Sequence, residues 1–183
     1  MPSDTHSRAL AGPIVVVGLT GFTCSGKSLV AKRLAQRGFD VLSTGDITRE
    51  AAKTAGVSLH RASTWDFFMA RTREDPRWRV PSIVHTIESS KTPLVVVDGI
   101  RSREEAEELR GRYGSRFLLL EVRVPDKLRE ERATNRGRPI DHNHQDAAAH
   151  AAWLRMDKEE VAMIRRIRPM VDVVVDGRGE YEG

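Results

Sequence analysis

Five short stretches of the chain are apolar at most or all positions: 14–18, 39–42, 94–97, 117–124 and 171–175. Runs of that kind fit strands covered on both faces, as in a parallel sheet. Between them the pattern shifts to a helical period. Over 27–37, Leu29, Val30 and Leu34 fall on one side, and Gly38 follows as a stop. Ser102-Arg103-Glu104-Glu105 reads as a capping box opening a helix that carries Ala106 and Leu109. Residues 126–136 follow Pro125 and are mostly charged. Strands alternating with helices predict βαβ units, hence an α/β fold on a five-stranded parallel sheet.

Two stretches interrupt the alternation. Residues 45–90 hold about two helices' worth of sequence, broken near Glu74-Asp75-Pro76. Residues 136–152 are polar, then alanine-rich. Both read as excursions above the sheet. Residues 1–12 are small and polar and read as a disordered tail, leaving 13–183 as one domain.

Composition narrows the function classes. The 183 residues carry a formal net charge of +4, which suits an anionic partner but is too small to require nucleic acid. No interleaving of aromatic and basic residues points to nucleic acid either. A single cysteine, Cys24, excludes an intramolecular disulfide framework. No apolar run approaches the roughly 20 residues needed to span a bilayer, and no leader is read, so the expected compartment is the cytoplasm.

The strongest chemical signal is Gly21-Phe22-Thr23-Cys24-Ser25-Gly26-Lys27-Ser28, a full match to G-x-x-x-x-G-K-[ST] between an expected strand and an expected helix. Its glycines let the backbone curl until successive N–H groups face inward at phosphate oxygens, and the helix starting near Lys27 adds its positive end. Residues 21–28 with Leu29 are therefore the expected ATP-binding loop. Lys27 would reach the β- and γ-phosphates, and Ser28 would ligate magnesium. Cys24 could carry a lowered thiol pKa among these amides, although a small loop residue is the simpler reading. The chain is short for the large AAA-type machines, and no N-K-x-D tetrad of a GTPase is present.

After the second strand the chain reads Ser43-Thr44-Gly45-Asp46-Ile47-Thr48-Arg49. This resembles the acceptor-site signature of adenylate kinases and other nucleoside monophosphate kinases. The third strand ends Val97-Asp98-Gly99-Ile100-Arg101, similar to that family's D-G-[apolar]-P-R without the proline. Val124-Pro125 followed by Arg132 and Arg136 is similar to the family's fourth-strand segment. Dephospho-coenzyme A kinases, and an archaeal group of adenylate-kinase-like proteins, share parts of these motifs.

The resemblance implies a three-layer α/β/α P-loop fold with a small acceptor-binding helical insertion at 45–90 and a short lid at 136–155. It implies ATP and a small phosphorylated acceptor, a nucleotide, as partners, with Mg²⁺ as cofactor. Thr44 would line the nucleoside pocket, with Asp46 beside it, and Arg49 and Arg101 would hold the acceptor phosphate. Glu105 stands where adenylate kinases place a base-reading glutamine. Asp98 would join Ser28 in holding magnesium, partly through water. Arg132 would stack on the donor adenine. Lys27, Arg136 and Arg155 would supply cations to the transferring phosphoryl, Arg138 would open the lid, and Arg165 or Arg166 would add a further clamp. His142, His144 and His150 lack a clear third ligand and read as solvated rather than as a zinc site. Trp65, Phe67, Phe68 and Trp78 could stack on a base, though core packing is the plainer use. Two alternatives stand beside the kinase of monophosphates: a dephospho-coenzyme A kinase with Asp46 as general base, and a non-catalytic nucleotide-binding switch. A monomer and a homodimer fit equally.

Overall fold

A computed structural model describes residues 12–135 and 147–178. Five strands form one parallel sheet: β1 (Val15–Thr20), β2 (Asp40–Ser43), β3 (Leu94–Asp98), β4 (Phe117–Arg123) and β5 (Val173–Asp176), in the order β2-β3-β1-β4-β5. The helices are α1 (Lys27–Gln36), α2 (Thr44–Thr54), α3 (Arg61–Glu74), α4 (Val80–Glu88), α5 (Arg103–Tyr113), α6 (Asp126–Asn135) and α7 (Ala147–Ile167).

Alternation along the strands sorts the core into two faces. Val16, Val95, Val97, Phe117 and Leu119 pack against Ile83 and Ile87 of α4, Leu109 of α5, and Ile164 and Ile167 of α7. Val17, Leu19 and Val96 pack against Ala31 and Leu34 of α1. Helices on both faces give the three-layer α/β/α arrangement. The central strand β1 runs two residues past its expected end, because Leu19 and Thr20 still pair with Asp98 of β3 and Glu121 of β4. A 3-10 turn at Arg168–Met170 delays β5 to residue 173.

The 45–90 excursion holds three helices rather than two. Gly56 adopts a left-handed φ of 70° and closes α2, so the stretch is broken twice, there and at Asp75–Pro76. The end of the lid segment, 147–155, is the start of the long helix α7, as its alanine content favours. The rest of that segment, 136–146, and residues 1–11 of the expected tail lie outside the described residues. Among the described residues no helix is long and apolar enough to cross a membrane.

Candidate active site

The carboxyl ends of parallel strands are where such sheets place ligands. Here they open into a cavity of about 940 Å³. Its floor is the loop between β1 and α1. Gly21 has φ 131°, and a Cβ there would lie 2.4 Å from the Val122 carbonyl oxygen, so only glycine fits. Gly26 is also left-handed, and so is Cys24 at φ 64°, a conformation non-glycine residues rarely adopt. Lys27 folds back over the loop and donates from Nζ to the carbonyls of Gly21 (2.6 Å) and Phe22 (2.7 Å). Ser25 Oγ is buried and has no hydrogen-bond partner among the described residues.

Of the residues expected at the donor side, 23 to 29 and Arg132 line the cavity. Gly21 and Phe22 do not; Phe22 instead packs against the core beneath the guanidinium groups of Arg129 and Arg168. Arg132 donates to the Gly177 carbonyl at 2.9 Å. Gly177 also lines the cavity, and a Cβ there would sit 2.2 Å from the Ser25 carbonyl oxygen.

Across the cavity stand Thr44, Arg49, Asp98 and Arg101. Ser43 caps α2 by accepting from the Asp46 amide, and buried Thr44 donates to the Gly99 carbonyl at 2.7 Å. Asp46 is exposed, pairs with Arg49 and lies off the cavity lining. The Asp98 carboxyl is pushed above the usual range by burial, with Lys27 and Arg101 pulling it back. Arg101 is lowered to about 10, first by burial and then by repulsion from Arg79 and Arg61.

Glu105 does not line the cavity. Its carboxylate takes a bidentate contact from Arg79 (2.7 and 2.9 Å), both side chains being 1% exposed, and accepts the amides of Arg101 and Ser102. Arg155 is on an exposed face of α7, paired with Asp66 at 2.8 Å. Arg165 and Arg166 also lie on α7, exposed, with Arg166 reaching Glu104. His150 is on α7 too. Arg136, Arg138, His142 and His144 lie outside the described residues.

Among the contributors that a reading of local motifs misses are Arg61, Arg79, Gly177 and Glu160. The first three line the cavity; Glu160 sits behind it, holding Thr23 and Arg101. Arg61 and Arg79 come from the helical insertion, Glu160 from a stretch read only for Arg155, and Gly177 from just past the last strand; the fold is what brings them in. Of the four aromatic candidates, Trp65 and Phe68 line the cavity, whereas Phe67 and Trp78 pack edge-to-face on each other with centroids 6.0 Å apart.

Comparison with known proteins agrees with this architecture. Residues 15–159 match the AAA domain family model. A UPF0200 protein of Thermococcus gammatolerans is 32% identical over 176 residues, spanning 92% of this chain and 90% of the relative. The chain belongs to the UPF0200 family and carries an AAA domain. That domain is a P-loop unit that fits within this chain, so the length argument against large machines does not touch it. Among solved structures, TT1252 from Thermus thermophilus aligns with a TM-score of 0.54 at 18% identity, over 92% of this UPF0200 chain and 91% of that one. A shikimate kinase from Acinetobacter baumannii in complex with shikimate aligns with a TM-score of 0.51 at 16% identity, over 93% and 86%. At such identities the likeness is one of fold: the UPF0200 chain has a P-loop kinase-like architecture. The family shown for this chain is UPF0200.

Proposed function

We propose that this protein transfers the γ-phosphoryl group of ATP to a small anionic acceptor, with a nucleoside monophosphate as the substrate class that fits best. One observation carries the reading: a single cavity joins the phosphate loop, with Lys27 and Ser28, to an opposite wall bearing Thr44, Arg49 and Arg101. Cations on both sides of Asp98 suit two phosphorylated ligands meeting end to end.

The donor set fits magnesium. Ser28 and Asp98 offer hard oxygens to the same cavity, and a cation would offset the burial that raises Asp98. When bound, the ion supplies charge neutralisation at the phosphates. Lys27 exchanges the two loop carbonyls for phosphate oxygens. The loop amides and the orphaned Ser25 hydroxyl cradle the donor. Arg49 and Arg101 hold the acceptor phosphate so that one of its oxygens attacks the γ-phosphorus in line, while the bond to the bridging oxygen breaks and ADP leaves. The acceptor is already an oxyanion, so no protein base is needed. Arg136 is proposed as a cation of the lid and Arg132 as the holder of the adenine, whereas Arg155, on an exposed face of α7 with Asp66 and off the cavity lining, falls outside the set.

A hydroxyl acceptor is the second reading. Asp98 favours it, being a cavity-facing carboxyl whose proton affinity burial has raised. Asp46 serves it less well, being exposed and engaged with Arg49.

The test is ADP release with ATP and magnesium against ribo- and deoxynucleoside monophosphates, dephospho-coenzyme A and shikimate, with Lys27→Ala as control. Turnover on one monophosphate, lost by at least about 100-fold in the control, supports the reading. Turnover only on a hydroxyl acceptor moves it to the second. No turnover despite ATP binding leaves the nucleotide-binding switch.

A further inference from the structure

The α7 helix brings one buried carboxylate against both halves of the cavity. Glu160, 2% exposed, accepts the Thr23 backbone N–H at Oε2 (2.6 Å) and the Thr23 hydroxyl at Oε1 (3.0 Å), and Oε1 also takes Arg101 Nη1. Thr23 and Arg101 both line the large cavity; Glu160 does not. It stands behind them, in a pocket walled by Trp65, Trp153 and Met156. A carboxylate in front of the loop would repel a phosphate, whereas one behind it orients the groups that face forward. The neighbouring Glu159 accepts from Trp65 Nε1 at 2.6 Å, so the same turn of α7 also grips the helical insertion.

We propose that Glu160 is a positioning residue that couples the phosphate loop to the acceptor-side arginine. It fixes the Thr23 turn of the loop and aims Arg101 with a single rigid group. This rests on the kinase reading for its acceptor arm only; the loop arm stands on nucleotide binding alone.

The chemistry explains why a carboxylate is needed. Two acceptor oxygens serve three donors. Glutamine offers one oxygen and an NH₂ group, which would have to face either the Thr23 N–H or the Arg101 guanidinium, donor against donor. Aspartate keeps both oxygens but is one methylene shorter and cannot reach Thr23 and Arg101 together from α7.

The experiment compares wild type, Glu160→Gln and Glu160→Asp with Ile164→Val, a cavity-making change in the core of the same helix that lowers stability without touching the site. Three readouts are taken: the Kd of ATP with magnesium by calorimetry, side-chain ¹⁵N NMR of Arg101 assigned through Arg101→Lys, and, where an acceptor turns over, its KM against kcat. Both Glu160 variants should weaken ATP binding about tenfold and collapse the distinct Arg101 signal. Acceptor KM should rise about tenfold or more. Adding Glu160→Ala to Arg101→Ala should leave acceptor KM where Arg101→Ala alone puts it, yet still weaken ATP binding, because the Thr23 amide and hydroxyl lose their acceptor. Ile164→Val should lower Tm and leave all three readouts in place. ATP Kd within twofold of wild type together with an unchanged Arg101 signal would overturn the proposal, as would Ile164→Val reproducing the same losses. If wild type phosphorylates nothing, the kinase reading fails while the calorimetric and NMR arms still decide the role of Glu160.

Discussion

Replacing Arg79 with methionine removes the cation from a pair whose two side chains are each 1% exposed. The arginine spans α2, α3 and α5: besides Glu105 it reaches Thr48 Oγ1 (3.3 Å) and the Thr44 carbonyl (3.4 Å), and it stacks on Phe68 at 4.6 Å. Breaking a buried pair from one side costs about 3–5 kcal/mol because the remaining charge is left uncompensated. Here Glu105 keeps two backbone amides, from Arg101 and Ser102, so the loss belongs at the lower end, about 3 kcal/mol. For a chain of this size that is a fall in Tm of about 6–12 °C. Adding Glu105→Gln removes the stranded charge while its carbonyl oxygen still caps α5. The double variant should therefore lose no more than Arg79→Met alone, instead of the roughly 6 kcal/mol that two independent losses would sum to. It should not return to wild type, since the contacts to Thr48 and Phe68 are gone. Urea unfolding followed by circular dichroism gives the midpoints, with m-values checked for constancy. A loss under about 1 kcal/mol for Arg79→Met, or strict additivity in the double variant, would show that the pair is not the charge-compensated tie described here.

Gly177→Ala should weaken ATP binding by at least about tenfold, because a Cβ meets the Ser25 carbonyl, backbone that cannot step aside without moving the phosphate loop. Calorimetry checks it, and unchanged affinity would mean the strand end yields instead. Asp172 is held below the usual carboxylate range, first by its hydrogen bonds to Arg110 and also by the Leu119 amide. A lowered folded pKa contributes stability above the unfolded value, and that contribution is lost as pH falls through the folded one. Asp172→Asn should thus cost about 1 kcal/mol at pH 7, an amount discounted for partial exposure, and the gap to wild type should begin to narrow below about pH 3.8 and close as pH falls through the lower folded value. A gap that stays constant between urea titrations at pH 7 and pH 3 would assign the effect to packing.

What could be read from the chain was whatever is local. The phosphate loop is eight consecutive residues between a strand and a helix, and the Ser102–Glu105 capping box needs one turn; both form as expected. The break at Gly56 also has a local signal, a glycine after Ala55, which a count of two helices passes over. The sheet order is less accessible. Nothing in the runs themselves says that β3 inserts between β1 and β2. The second role of Glu105 is invisible for a similar reason: its partner lies 26 residues away, at the residue that precedes another helix. Gly177 looks like an ordinary turn glycine until the Ser25 carbonyl is set against it. Thr44 and Arg101 reach the cavity because each sits just past a strand end, where an α/β sheet collects its ligands, and Arg49 because it lies in the second turn of the helix that starts at one of those ends.

The folded-back Lys27 has a kinetic consequence. Its ammonium already bridges the carbonyls of Gly21 and Phe22, so the turn of chain that must surround a phosphate is drawn together by the same charge that later meets it. Arrival of nucleotide is then an exchange of partners at one nitrogen rather than the folding of a loop. In stopped-flow mixing the observed rate should climb linearly with nucleotide concentration and show one phase. A plateau would instead mark a slow rearrangement of the loop before binding.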